Sequence, residues 1–357
     1  MRIVYNSFHG RFSDNPRVLF EALRERPALE HVWLADAAHR EAFPAGVEVV
    51  DIDGPDARAT LESADLLIAN THTEVDWDKP AGTTYLQTWH GTPLKRIHHD
   101  VLWAPEGRLA RLDEDVARWD LLLSPNPAST PRLRQAFRYD GEVLESGYPR
   151  NDVLSRPEAE TVRKEVRAAL GIEGGSRVVL YTPTWRDDET FAEGSPAIVL
   201  PLDPGVFARA MGGTHDLLVR AHYMVTARAA VAAHDSVHDV SWWPEVSDLY
   251  AAADVLVTDY SSTMFDFAVT GRPVVLLAHD LERFQDTVRG FYFDLLPQAP
   301  GPLTRTAEEL VDVLVRLDEV LPEHAERYQR FRETFTVLED GHATDRVLAR
   351  LGLDAPE

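Results

Sequence analysis

The stretch Val255-Leu256-Val257-Thr258-Asp259-Tyr260-Ser261-Ser262-Thr263-Met264-Phe265-Asp266 passes from an apolar run through a hydroxyl-rich turn into a helical pattern. Its opening residues are aliphatic on both faces, as in a strand of a parallel sheet covered on both sides. The serines and threonine that follow can satisfy the free amides of a helix start. Strand, turn and helix repeated along a chain give parallel sheets wrapped by helices. This chain repeats them. Apolar runs predict strands over residues 3–7, 32–35, 47–51, 66–70, 84–88, 121–124 and 143–146, with helices between them, for example over 16–25 and 128–137. The expected class is α/β.

A second series follows Gly147-Tyr148-Pro149-Arg150-Asn151-Asp152, a turn-rich stretch that leads into a charged helical segment over 158–170, closed by Gly171. Glycine at that point stops a helix. Strands are then expected over 178–182, 217–221, 237–241, 255–258 and 274–277, and helices over 307–320, 324–335 and 343–351. The boundary predicts two domains, residues 1–150 and 151–357. A length of 357 residues agrees, being more than one hydrophobic core usually serves. Open α/β sheets bind ligands outside the carboxyl ends of their strands, so two of them in tandem predict an interdomain cleft lined by the loops after strands.

Composition narrows the function classes. The net charge of -23 argues against a general nucleic-acid binder, which needs a basic surface. Cysteine is absent, which excludes disulfides and thiolate metal sites and fits a reducing compartment. The start, Met-Arg-Ile-Val-Tyr-Asn-Ser, has no apolar signal core, and no segment approaches the roughly 18 apolar residues of a membrane span. A cytoplasmic location is expected, with any membrane contact peripheral, at the inner face.

Four strand ends concentrate chemistry. Gln87-Thr88-Trp89-His90-Gly91-Thr92-Pro93-Leu94-Lys95-Arg96 places an imidazole at a sheet's carboxyl edge, where it can exchange a proton near neutral pH, with Lys95 and Arg96 offering positive charge nearby. Arg220-Ala221-His222 sends two cation-capable groups to one face, which suits a diphosphate. Thr258 and the turn with Ser261 and Ser262 suit phosphate oxygens as well as plain helix capping. Thr182-Pro183-Thr184-Trp185-Arg186-Asp187 could line a nucleotide pocket through Thr184 and Arg186. No metal is expected: His98 and His99 are adjacent, adjacent residues rarely point to one ion, and the spacing supplies no third ligand. Walker-type and dinucleotide glycine fingerprints are absent, which removes the usual support for ATP hydrolysis and NAD chemistry.

Taken in order, Ser13-Asp14-Asn15-Pro16, Trp89-His90-Gly91-Thr92-Pro93-Leu94-Lys95, Gly147-Tyr148-Pro149-Arg150-Asn151-Asp152, Arg220-Ala221-His222 and Ser247-Asp248-Leu249-Tyr250 leading to Thr258-Asp259-Tyr260-Ser261-Ser262 resemble the CDP-glycerol glycerophosphotransferase family of teichoic-acid polymerases and primases. The resemblance spans nearly the whole chain. It implies a GT-B-like fold of two doubly wound, Rossmann-type domains, and transfer of glycerol phosphate from CDP-glycerol to a hydroxyl of a teichoic-acid or capsule-type polymer acceptor, lipid-linked, with release of CMP. CDP-ribitol enzymes share these motifs, so the polyol stays open. The resemblance makes His90 the general base on the acceptor and His222 a catalytic group facing the donor diphosphate, with Arg220, Ser261, Ser262 and Thr258 on the donor phosphates. Thr184, Arg186, Asp14, Lys95, Arg96, Arg150 and Asp259 complete the candidate contacts to nucleotide or acceptor, Asp259 chiefly by organising its turn. Neither a cofactor nor a metal is implied.

Two other readings share the fold. A GT-B glycosyltransferase with a sugar-nucleotide donor would use the same cleft, and a non-catalytic polymer-binding subunit would keep the architecture without the reaction. The acceptor, primase or polymerase action, oligomeric state and membership of a larger protein are left open by the sequence.

Overall fold

Short aliphatic runs with no side-chain polar atoms to satisfy are what a strand buried on both faces requires. The computed structural model describes residues 1–104, 106–172, 174–184, 200–221 and 234–354, and in it these runs form two parallel sheets. The first contains β1 (Arg2–Asn6), β2 (Glu30–Ala35), β3 (Glu48–Asp51), β4 (Leu66–Ala69), β5 (Thr84–Gln87), β6 (Leu121–Ser124) and β7 (Glu142–Glu145), in the order β3-β2-β1-β4-β5-β6-β7. The second contains β8 (Arg177–Thr182), β9 (His215–Val219), β10 (Val237–Asp239), β11 (Val255–Thr258), β12 (Val274–Leu277) and β13 (Leu303–Thr304), in the order β10-β9-β8-β11-β12-β13. Each sheet is doubly wound. The chain moves outward from β1, then returns to lay β4 on its other side, and does the same with β8 and β11. Those reversals are the switch points where ligands of such sheets bind.

The chain divides into two compact units, one made of Met1–Thr92, Ile97–Val153 and Val337–Glu357, the other of Pro93–Arg96 and Leu154–Thr336. The division near residue 153 lies close to the sequence boundary, but the helix Ala343–Arg350, placed by the sequence with the second domain, packs in the first unit. Polar and apolar contacts both hold it there. The Asp152 carboxylate accepts from the amides of Ala343 and Thr344 at 2.8 and 2.9 Å, capping the helix, and Arg346 donates to the Ser146 carbonyl at 2.8 Å. Val347 and Leu348 join Ile3, Leu19, Leu66 and Leu121 in one core cluster. Gly147 adopts φ +77°, and a Cβ there would lie 2.8 Å from the Leu338 carbonyl oxygen, so the turn before the clamp needs glycine.

Near the C-terminus, one helix runs Leu317–Phe335 through Pro322, where the sequence suggests a break. The break falls earlier, at Arg316, whose φ of -104° and ψ of 21° leave the helical region. Pro322 therefore costs the helix one hydrogen bond without ending it.

Asp152 satisfies two otherwise orphaned amides of a buried helix start. Asp152→Ala is expected to destabilise the first unit by about 1–2 kcal/mol, measured as a lower thermal midpoint; an unchanged midpoint would remove the carboxylate from its anchoring role.

Candidate active site

His90 follows β5 directly, next to the switch point between β1 and β4. Its backbone is fixed through Trp89, which holds φ +52°, a left-handed conformation rare for a bulky residue. The cause lies in groups that grip Trp89 from both sides. The Trp89 amide donates to Gln87 Oε1 at 2.9 Å, and its carbonyl accepts from Asn15 Nδ2 at 3.1 Å and from Thr88 Oγ1 at 3.0 Å. Phe8 and His9, after β1, and Asp14 share positive φ values of 43°, 55° and 65°. Left-handed non-glycine residues concentrated at a sheet's carboxyl edge mark a geometry imposed by its surroundings.

The imidazole itself is oriented by a carbonyl. His90 Nδ1 lies 2.5 Å from the Asn70 oxygen, and because a carbonyl only accepts, Nδ1 carries the proton and Nε2 keeps its lone pair. Asn70, at the end of β4, is positioned in turn: its Oδ1 accepts from the Phe8 amide at 2.9 Å and its Nδ2 donates to Ser7 Oγ at 3.1 Å. Trp89 lies against His90 with ring centroids 4.2 Å apart, and Phe8 contacts it edge-on at 5.2 Å. Burial among these groups lowers the His90 pKa to about 4, the Asn70 carbonyl and Asp14 opposing the shift and Arg150 adding to it. At neutral pH the ring is an uncharged base.

Asp14 and Arg150, read from the sequence as contacts for nucleotide or acceptor, pair with each other. The Arg150 guanidinium meets Asp14 Oδ2 at 2.5 Å with both side chains 4% exposed, and Arg150 also lies 5.0 Å from the centre of the Tyr148 ring. Asn15 completes the junction, since its Oδ1 accepts from the Arg150 amide at 3.1 Å while its Nδ2 holds Trp89. Tyr148 Oη accepts from the Gly91 amide at 3.3 Å. Two sequence motifs far apart in the chain, around Asn15 and around Arg150, thus converge on the His90 loop. Lys95 and Arg96 cluster with the second unit, where Lys95 bridges to Phe291 and the Arg96 amide donates to the Gly290 carbonyl at 3.0 Å.

In the second unit, the ends of β8 and β11 bring Thr182, Thr184, Thr258, Asp259, Ser261 and Ser262 together. Asp259 Oδ1 accepts from the amides of Tyr260 at 2.6 Å and Thr184 at 2.9 Å, so it organises the turn. Thr258, read from the sequence as a phosphate contact, is fully buried, and its hydroxyl donates to the Thr182 carbonyl at 2.7 Å. Ser261 and Ser262 are partly exposed, and Ser261 Oγ accepts from the Thr263 amide at 3.4 Å. Arg220 donates to the Trp243 carbonyl at 2.6 Å, bracing the segment after β10. His222 and Arg186 lie outside the described residues.

A family model of CDP-Glycerol:Poly(glycerophosphate) glycerophosphotransferases matches residues 1–352. The chain belongs to this family. It is 38% identical to a teichoic acid glycerol-phosphate transferase of Staphylococcus aureus, over 97% of this chain and 91% of that protein. Identity to a teichoic acid poly(glycerol phosphate) polymerase of Bacillus subtilis is 32% over 97% of this chain, which spans 48% of that longer protein. A structure of the wall teichoic acid polymerase TagF, from a variant soaked with CDPG, matches with a TM-score of 0.90 at 31% identity, covering 99% of this chain and 88% of that one. The glycerophosphotransferase fold here is accordingly GT-B-like, as the motifs implied.

Sequence reasoning missed Asn70, Gln87 and Asn15 as the groups that hold the His90 loop. Asn70 acts through its main chain, which no residue type advertises, although its place at the end of a predicted strand was a usable signal. Also unforeseen is Asp113, whose carboxylate lies with the ring nitrogens of His98 and His99 within 4.8 Å of one another.

The depressed pKa has a sign that can be tested. Between pH 6.5 and about 4 the unfolded chain binds a proton at His90 that the folded chain does not, so this group withdraws stability as pH falls through that window. The His90 ring signal in a proton–carbon NMR titration is expected to change with a midpoint near 4; a midpoint near 6.5 would contradict the buried, neutral assignment.

Proposed function

We infer that this chain transfers glycerol phosphate from CDP-glycerol to the hydroxyl of a polyol-phosphate polymer acceptor and releases CMP. Membership of the glycerophosphotransferase family supports the reaction class. The observation that carries the residue assignment is the His90 tautomer: Nδ1 donates to the Asn70 carbonyl, leaving Nε2 as a base. In the proposed step Nε2 takes the acceptor's hydroxyl proton as its oxygen bonds to the glycerol-bearing phosphorus. The bond from that phosphorus to the bridging oxygen breaks, and CMP leaves with the electron pair. Phosphoryl chemistry of this kind needs alignment and charge stabilisation more than covalent help.

On the donor side we assign the partly exposed Ser261 and Ser262 to the phosphates, in a turn kept in shape by Asp259. His222, one residue past the described Ala221, is assigned to the donor diphosphate on the motif alone. Glycerol is favoured over ribitol by the names of the family and of the relatives matched over 97% of the chain. A lipid-linked acceptor and contact with the inner membrane face complete the proposal. Leu102 and Trp103, 46% and 77% exposed, are apolar groups such a contact could use, and no helix among the described residues is long and apolar enough to cross a bilayer.

Removing a general base usually slows turnover by about 10² to 10⁴-fold. His90→Ala should retain CDP-glycerol affinity in calorimetry and lose CMP release to that extent; CMP release near the wild-type rate would overturn the assignment. Incubation of the wild type with CDP-glycerol, CDP-ribitol and UDP-sugars is expected to release CMP, and UDP release without CMP would place the chain among sugar transferases instead.

A further inference from the structure

We propose that His98, His99 and Asp113 form a binding site for a divalent transition-metal ion of the zinc type, in the first unit and separate from the transfer chemistry. The three ligand atoms come from two elements, the single turn His98–Asp100 after β5 and the helix Arg108–Val116. His99 Nε2 lies 2.7 Å from Asp113 Oδ1, and His98 Nε2 lies 3.9 Å from the same oxygen. Ligands of a tetrahedral zinc ion at about 2.0–2.1 Å stand roughly 3.4 Å apart. The His99–Asp113 separation must open and the His98–Asp113 separation close, each by less than about 1 Å, and the two ring nitrogens, which lie within 4.8 Å of each other, must reach the same spacing by side-chain rotation.

An ordinary ion pair between His99 and Asp113 would explain those two residues. It does not explain His98. That side chain is 2% exposed, the Ala136 main chain stands beside the ring, and its Nε2, the atom nearest Asp113, makes no hydrogen bond among the described residues. Buried polar groups are nearly always satisfied, by protein, by water or by an ion. His98 also holds φ +50°, a left-handed backbone uncommon outside glycine, although histidine enters it more readily than most residues. The ring is wedged in place, 5.3 Å from His72 on one side and 5.2 Å from Phe137 on another. Its position is imposed by its surroundings, and the ligand atom is aimed at the carboxylate.

Access and donor type agree with the same ion class. Asp113 is 42% exposed and His99 11% exposed at their side chains, so an ion can enter from the solvent side and keep water in its remaining position. Two imidazoles with one carboxylate suit zinc and its first-row neighbours, whereas calcium and magnesium select oxygen ligands. Bound there, the ion would cross-link the turn after the His90 loop to the helix Arg108–Val116.

The test uses the full chain freed of metal by chelation and titrated with Zn²⁺ in a calorimeter, then with Co²⁺ to read ligand-field absorption. One ion per chain is expected to bind with micromolar or tighter affinity, and Co²⁺ should give the visible bands of a low-coordinate nitrogen and oxygen site. His99→Gln and Asp113→Asn, both at partly exposed positions, should each weaken Zn²⁺ at least tenfold. Absence of saturable Zn²⁺ binding to the wild type, or wild-type affinity in either variant, overturns the site. The Co²⁺ spectrum is read on the unaltered protein, so misfolding of a variant cannot mask the outcome.

Discussion

The backbone of Trp89 is held in a conformation it would not choose, by Gln87 on its amide and Asn15 on its carbonyl, and the first unit's chemistry depends on that grip. Released, Trp89 would relax toward the extended region, and the imidazole that follows it would leave the Asn70 carbonyl. Asn15 can reach Trp89 because the helix Asp14–Leu23 starts beside the β5 end, and it starts there because Asp14 is locked to Arg150. With one partner lost, the other would be a buried, unpaired charge, a loss typically of about 3–5 kcal/mol. A buried ion pair is weak evidence for stability in itself. Its value here is positional, since it fixes one asparagine that reads two loops at once.

The second unit solves a similar problem chiefly with hydroxyls and backbone amides. Thr182, Thr258 and Thr263 pass hydroxyl contacts between β8, β11 and the helix Thr263–Phe267, at 2.7 to 3.3 Å. Asp259 then ties the ends of the two strands through backbone amides. Hydroxyl contacts and one carboxylate bound to backbone amides thus stiffen the turn where donor phosphates are proposed to sit.

Much of this was legible in the sequence because it is local. The run Val255–Thr258 declares a buried strand by composition, and the serines after it declare a turn. His90 was legible by residue type and by its place after a strand. What escaped depends on partners that no local pattern pairs. Thr258 looks like a phosphate ligand among its neighbours, but in the sheet its hydroxyl is turned to the Thr182 carbonyl, 76 residues away in sequence. Lys95 and Arg96 are close to His90 in sequence, and no local pattern shows that they cluster with the second unit. Asp113 completes a cluster that adjacent histidines alone could not suggest, because helical geometry brings it back across the intervening loop.

The clamp between Asp152 and the helix Ala343–Arg350 also governs the order of events in synthesis. A domain normally folds as it emerges from the ribosome, N-terminal part first. Here the first sheet can assemble early, but Val347 and Leu348, which cover its Ile3 and Leu121 side, are translated only after the whole second unit. Until then that apolar face is open to solvent and to neighbouring nascent chains. Completion of the unit that carries His90 thus waits on a helix that is made only after the whole second unit.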